Sequence, residues 1–150
     1  MAEPGFRPHA TIQRVPVHAM LVHFPIVCFV GALVCDIVYI KSEGQVQWAN
    51  FAQWLLVFGV GIGAVAAVFG LIDLFRTSPA DRPGAAYWHM GFAVLTVALA
   101  LLNNFVHARD GWTGVVPEGI ALSVLTVLAL IVTGHLGGRL AYVYQRRGDL

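Results

Sequence analysis

The chain alternates between long apolar stretches and short polar connections. The apolar stretches cover approximately Pro16–Ile40, Trp48–Phe75, Ala85–His107 and Pro117–Tyr144. About 20 apolar helical residues cross a bilayer core that is about 30 Å thick, and each stretch is at least that long. Short connections favour antiparallel neighbours. The pattern therefore predicts an all-α fold, an integral membrane four-helix up-down bundle.

The composition agrees with this membrane assignment. Of the 150 residues, 58% are hydrophobic and 11% are charged, which leaves too few charged side chains to cover a soluble domain. This argues against an ordinary soluble enzyme, a disordered chain or a basic nucleic-acid-binding protein. We expect a cytoplasmic segment over residues 1–15, one transmembrane domain over residues 16–145, and a C-terminal tail over residues 146–150.

The basic residues are distributed unevenly between the two sides of the predicted bundle. One side holds both termini and the second connection, and it carries Arg7, Arg14, Arg76, Arg82, Arg139, Arg146 and Arg147. The other side carries Lys41 and Arg109. Because arginine and lysine accumulate in cytoplasmic loops, both termini are predicted to be cytoplasmic. The expected location is a bacterial inner membrane, which the chain crosses several times.

Ionisable side chains within the spans are the candidate functional residues, since they are costly there. His23, His89 and His135 fall at similar depths in the first, third and fourth spans, and Asp73 lies near the same end of the second. His18 and His23 are about 140° apart around a regular helix, so both cannot face the interior. We expect His23 to point inward and His18 to lie near the headgroups.

Small and polar residues recur on one face of two spans. In the third span this stripe contains His89, Ala93, Thr96, Ala100, Asn103 and His107. In the second span it contains Gly59, Gly63, Ala66, Gly70 and Asp73. Such faces pack membrane helices closely, and they also leave room for a bulky planar ligand. His107 stands alone at the opposite end. It is expected to be interfacial unless a second site exists, with Asp36 as its candidate acidic partner.

Two facing histidines could hold a non-covalent haem b for electron transfer. The first and third helices are diagonal in an up-down bundle, which selects His23 and His89 as axial ligands. His135 would be a spare ligand or a hydrogen-bond donor to a ligand. Gly70 and Gly138 would make room for the porphyrin, and Arg139, with Arg14, Arg76 and Arg82, would face the propionates. The chain lacks a C-x-x-C-H motif for covalent attachment.

Other functions remain open at this stage. The set His23, His89, His135 and Asp73 could instead bind a divalent transition metal such as zinc, iron or copper. A proton or ion pathway could follow the polar stripe of the third span. A structural or assembly subunit would use the small faces for docking, and a homo-oligomer is compatible with them. Motifs of hydrolytic enzymes are absent from the sequence, which favours an electron carrier over a catalyst.

Several motifs resemble one family. The run from His18 through His23-Phe-Pro25 resembles the HPxxVHFP opening of the DUF-2231 bacterial membrane proteins, although Ala19 replaces its proline. Further matches are Gly70 to Leu74, His89, and the stretch from Gly134 to Gly138 with Tyr142. The resemblance covers residues 16–145 and implies a four-helix membrane protein. Some members look fused to Rieske iron–sulfur domains, which implies a redox setting and an iron–sulfur protein as partner.

Overall fold

A computed structural model describes residues 11–12, 15–109 and 111–148 of the chain. The helices of these residues are α1 (Val17–Leu21), α2 (His23–Lys41), α3 (Val46–Arg76), α4 (Gly84–His107) and α5 (Glu118–Gly148). Two short strands, β1 (Thr11–Ile12) and β2 (Val15–Pro16), pair antiparallel before α1. Four spans are long and apolar enough to cross a membrane: Val17–Lys41, Val46–Arg76, Gly84–His107 and Trp112–Tyr142. The predicted four-helix membrane fold is confirmed.

The helices pack in the order of the chain. α2 packs against α3 and α5, and α4 packs against the same two helices. α2 and α4 are therefore the diagonal pair of the bundle, as are α3 and α5. Side chains of the first span (α1 and α2) and of α4 that point to the bundle axis face each other across its centre. Both polar clusters described below arise in this way.

The first span is broken near its start. α1 ends at Leu21 and α2 begins at His23, with Val22 between them. Pro25 lacks the N–H that would bond to the carbonyl of Leu21, and its ring crowds that carbonyl. The helical ladder resumes as the amide of Ile26 donates to the carbonyl of Val22 at 3.3 Å. The irregularity that Pro25 allows is thus present, and it separates His18 from His23.

A tight turn connects α2 to α3. Glu43 and Gly44 both have positive φ, 58° and 85°, and the Gly44 amide donates to the carbonyl of Tyr39 at 3.0 Å. Glycine adopts this left-handed backbone without the steric cost of a Cβ. The turn makes α2 and α3 antiparallel neighbours, as the short polar connection between their spans predicts.

The core is narrow and contains small residues. Phe29 and Leu56 are its large members, and Ala32, Ala52 and Ala100 are fully buried beside them. Many large apolar side chains point outward instead, among them Trp54, Phe58 and Phe75. In water such a surface would aggregate, whereas hydrocarbon covers it without cost. The exposed apolar faces fit a protein embedded in a lipid bilayer.

Candidate functional site

Two histidines meet across the bundle at one end, which we call the His18–His89 pair. His18 lies on α1 and His89 on α4, and their ring centroids are 5.9 Å apart with the planes at 89°. Nδ1 of His18 is 2.7 Å from the carbonyl oxygen of Ala66, and Nδ1 of His89 is 3.0 Å from that of Thr133. A carbonyl oxygen only accepts, so each Nδ1 donates its proton. In the neutral imidazole, each Nε2 then carries a lone pair.

A glycine of a neighbouring helix accommodates each ring of this pair. A Cβ at Gly70 would lie 3.0 Å from Nδ1 of His18, and one at Gly137 would lie 3.0 Å from Cε1 of His89. Gly138 is different, because a Cβ there would meet nothing within 4 Å. The expectation for Gly138 is therefore corrected: Gly137 faces the site, and Gly138 is on the outer surface. Gly70 faces the site as expected, although its immediate neighbour is an imidazole.

The structure also corrects the inward histidine of the first span. His23 is exposed, and its Nδ1 lies 3.4 Å from the carbonyl oxygen of Met20 on the preceding turn. His18 is half-buried and lies opposite His89. One of the two had to face outward, because five residues turn a helix by about 140°. The break at Val22 and the contact with Gly70 give the interior position to His18.

His135 and Arg139 lie on the outer face of α5, where both are exposed. His135 precedes Gly137 by two residues, which is about 160° around the helix, so it points away when Gly137 faces inward. Asp73 is 4% exposed, and its residue takes part in a non-covalent interaction within the protein. Among the described residues, no group of three or more His, Cys, Asp or Glu is placed to hold a metal ion. The structure therefore does not bring His23, His89, His135 and Asp73 together.

Basic side chains lie at the same end of the bundle, the arginine-rich end, which carries Arg76, Arg82 and Arg139. The Nε of Arg82 donates to the carbonyl oxygen of Thr77 at 3.0 Å, and its guanidinium lies over the Phe75 ring at 5.9 Å. Arg76 and Arg139 are exposed. These contacts fix one cation near the end of α3 and leave the other two accessible to anionic groups.

The predicted polar stripe of the third span does face the interior. Thr96, Ala100, Asn103 and His107 are all buried on α4. Below the His18–His89 pair, the hydroxyls of Thr96 and Thr133 are 3.1 Å apart. Ala100 and the surrounding apolar core then interrupt the polar groups, so the stripe forms two clusters rather than one continuous line.

The second cluster lies between α2, α4 and α5 at the opposite end of the bundle. We call it the Asp36 cluster, and its members are Asp36, Asn103, His107 and Ser123. Nε2 of His107 is 2.8 Å from Oδ1 of Asp36, and the Ser123 hydroxyl donates to Oδ2 of Asp36 at 2.5 Å. Nδ2 of Asn103 donates to the Ser123 oxygen at 2.8 Å. All four residues are at most 6% exposed.

This cluster corrects the expectation that His107 is interfacial. His107 is buried and paired with Asp36, the partner considered for it. Ser123 was missed because a serine in an apolar span carries no periodic signal of its own. Its position on α5, one turn before Thr126 in an otherwise apolar stretch, was the available clue, since a buried hydroxyl needs a partner.

The comparison with protein-family models places most of the chain in a described family. Residues 14–147 match the family described as "Predicted membrane protein (DUF2231)". A search of curated proteins and a search of solved structures each find no match to the chain.

Proposed function

The chain belongs to the DUF2231 family of membrane proteins, and from that premise we propose that its His18–His89 pair binds the iron of a non-covalent haem b for electron transfer. The observation that carries the proposal is the geometry of the pair. Two imidazoles on diagonal helices face each other with 5.9 Å between ring centroids, and each has Nδ1 tied to a backbone carbonyl.

The hydrogen bonds of the pair engage Nδ1 of each imidazole and leave the Nε2 lone pair available to a metal. A metal-ligating histidine usually donates its other ring N–H to a carbonyl or carboxylate, which fixes the tautomer and the ring orientation. Ala66 and Thr133 supply such carbonyls here. The Nε2 atoms of His18 and His89 would thereby be the coordinating atoms, and each Nδ1 hydrogen bond restrains its ring.

The spacing of the rings also fits two ligands on one iron. With metal–nitrogen bonds of about 2.0 Å, the centres of two opposed imidazoles are roughly 6 Å apart. The 89° between the planes is compatible, because metal–nitrogen bonding does not require a particular angle between the two ring planes. The centroid distance and the tautomers of the pair therefore support the proposal of two ligands on one iron.

The number of ligands favours haem over a single metal ion. Zinc and similar ions take three or four protein ligands. The described residues offer no group of three His, Cys, Asp or Glu. A porphyrin provides four nitrogens of its own and requires two from the protein. Gly70 on α3 and Gly137 on α5 let the two imidazoles pack directly against the backbones of these helices.

The surroundings of the pair suit a membrane electron carrier. Bound haem would supply one-electron chemistry between ferric and ferrous iron. Arg76 and Arg82 would hold its propionates at the arginine-rich end, which we place at the cytoplasmic face because basic residues accumulate there. An iron–sulfur protein docking at that end is the proposed redox partner. The chain holds both imidazoles in position through their hydrogen bonds to Ala66 and Thr133.

The absorbance spectrum of the full-length protein, purified in detergent and titrated with hemin, tests this proposal. A low-spin spectrum with sharp α and β bands on reduction is the expected result. His18→Ala and His89→Ala should each abolish it, because each removes one axial ligand. His23→Ala and His135→Ala are the matched controls, since both side chains are exposed, and they should leave the bands unchanged.

Two results would contradict the proposal. One is the absence of stoichiometric hemin binding by the folded protein, which would favour a subunit that uses its small faces for assembly. The other is a low-spin spectrum that is lost in His23→Ala but kept in His18→Ala, because His18 then would not be a ligand of the iron. Far-ultraviolet circular dichroism of every variant separates loss of binding from loss of fold.

A further inference from the structure

The hydrogen-bond directions in the Asp36 cluster fix how many protons it holds. Nδ1 of His107 lies 3.1 Å from the carbonyl oxygen of Asn103, which only accepts, so Nδ1 carries a proton. Nε2 lies 2.8 Å from Oδ1 of Asp36. A bond between these two atoms requires one further proton, whichever of them carries it. With that proton the Asp36–His107 pair is neutral overall, and without it the pair has a charge of −1.

The pair is deep in the protein yet close to a polar cavity. Both side chains are 0% exposed. A cavity of about 180 Å³ lies at this end of the bundle, and His107, Arg109, Asn50 and Gln53 line part of it. This volume holds several water molecules. His107 therefore lines the cavity as a residue, while its fully buried ring contacts the Asp36 carboxylate.

A fully buried oxygen in the same cluster accepts nothing from the described residues. Oδ1 of Asn103 has no hydrogen-bond partner, although Asn103 is 0% exposed. A buried amide oxygen without a donor is costly, so such atoms normally receive a hydrogen bond from water or a ligand. The cluster is thus built to accept one more donor, and water or a hydronium ion has the size and chemistry for it.

The other ionisable groups around the pair are few among the described residues. Cys35 precedes Asp36 on α2, and Arg109 follows His107 at the end of α4, where it pairs with Glu118 of α5. From α3, the cavity is lined by the uncharged amides of Asn50 and Gln53, together with Val46 and Ala49. Asp36 is the carboxylate that faces His107 directly.

We propose that the Asp36–His107 pair is a proton-binding site that exchanges its proton with the non-arginine side of the membrane through this cavity. The step adds one proton to a neutral imidazole beside a carboxylate and forms the Nε2–Oδ1 hydrogen bond, so the charge of the pair changes from −1 to 0. No electron or other reactant is involved. The site does not depend on haem, and its test stands apart from that of the His18–His89 pair.

Infrared difference spectroscopy of the full-length protein in proton-tight, oriented proteoliposomes tests the proposal. The Asp36→Asn variant identifies the carboxyl bands, and circular dichroism verifies its fold. A pH jump within about pH 4–9, where carboxylates and imidazoles titrate, is applied to one side at a time. The Asp36 and His107 bands should respond to the jump on the side of the cavity and not to the same jump on the arginine-rich side.

Filling the cavity provides the matched pair of variants. Ala49 lines the cavity, and Ala49→Leu should slow the response about tenfold, because proton exchange needs a continuous chain of water. Ala64→Leu makes the same change on the exposed face of α3 and should leave the rate unchanged. Bands that respond to neither side would show a fixed structural ion pair and overturn the proposal. A response from the arginine-rich side alone would overturn the route.

Discussion

Replacing Gly59 by alanine should destabilise the protein, because α2 and α3 touch at this glycine. A Cβ at Gly59 would overlap Cε1 of Phe29 and would lie 2.8 Å from its Cδ1. It would also lie 3.0 Å from Cβ of Cys28. Phe29 is 2% exposed and belongs to the core, so its ring has no free space into which to move. The helices must separate, or the ring must leave its preferred rotamer.

The expected size of the effect follows from the overlap. Aliphatic carbons pack at about 3.5–4.0 Å, so the ring must move by about 1 Å or more. Overpacking of this kind typically costs about 1–3 kcal/mol, which lowers the ratio of folded to unfolded protein by roughly 5- to 160-fold. Alanine also favours the helix over glycine by up to about 1 kcal/mol, and this offsets part of the cost.

Gly61→Ala is the control for that offset. It lies on the same helix, and a Cβ there would meet nothing within 4 Å. Reversible unfolding in mixed micelles, followed by tryptophan fluorescence, would give the free energy of unfolding of both variants. Gly59→Ala should be less stable than Gly61→Ala by about 1–3 kcal/mol. Adding Phe29→Leu should cost less in the Gly59→Ala background than in the wild type, because the clash is with the ring.

The remaining predictions concern the orientation and the two polar clusters. Reporter fusions at residues 42–45 and at the C-terminus should report opposite sides, with the C-terminus cytoplasmic; a periplasmic C-terminus would refute the orientation. Gly137→Ala should weaken hemin binding measured by titration, since the added Cβ would press on the imidazole of His89. Gly138→Ala is the control, and equal hemin affinities of the two variants would contradict the contact between Gly137 and His89. His107→Ala should lower the free energy of unfolding by about 3–5 kcal/mol, because it removes the partner of a buried carboxylate. A decrease in the free energy of unfolding below about 1 kcal/mol is the range of an exposed ion pair, and it would contradict a buried, charged Asp36 carboxylate paired with His107.

The four spans could be predicted from the sequence because their signal is local. A stretch of about 20 apolar residues and a short polar turn each specify their own structure without reference to distant residues. The diagonal relation of the first and third spans followed in the same way from short connections. Pro25 also acts locally, since it removes a hydrogen bond within its own helix. The break at Val22 could therefore be anticipated, although its consequence for the histidines could not.

The rotation of each helix about its axis was decided by the tertiary structure. α2, α3 and α5 carry apolar residues on every face, so the pattern alone left open whether His18 or His23, and Gly137 or Gly138, faces the centre. Close contacts made that choice, such as the His18 ring against Gly70. The pairing of Asp36 with His107 joins residues that are 71 positions apart. It exists because an unpaired charge within the membrane is costly and two diagonal helices bring both groups to the same depth.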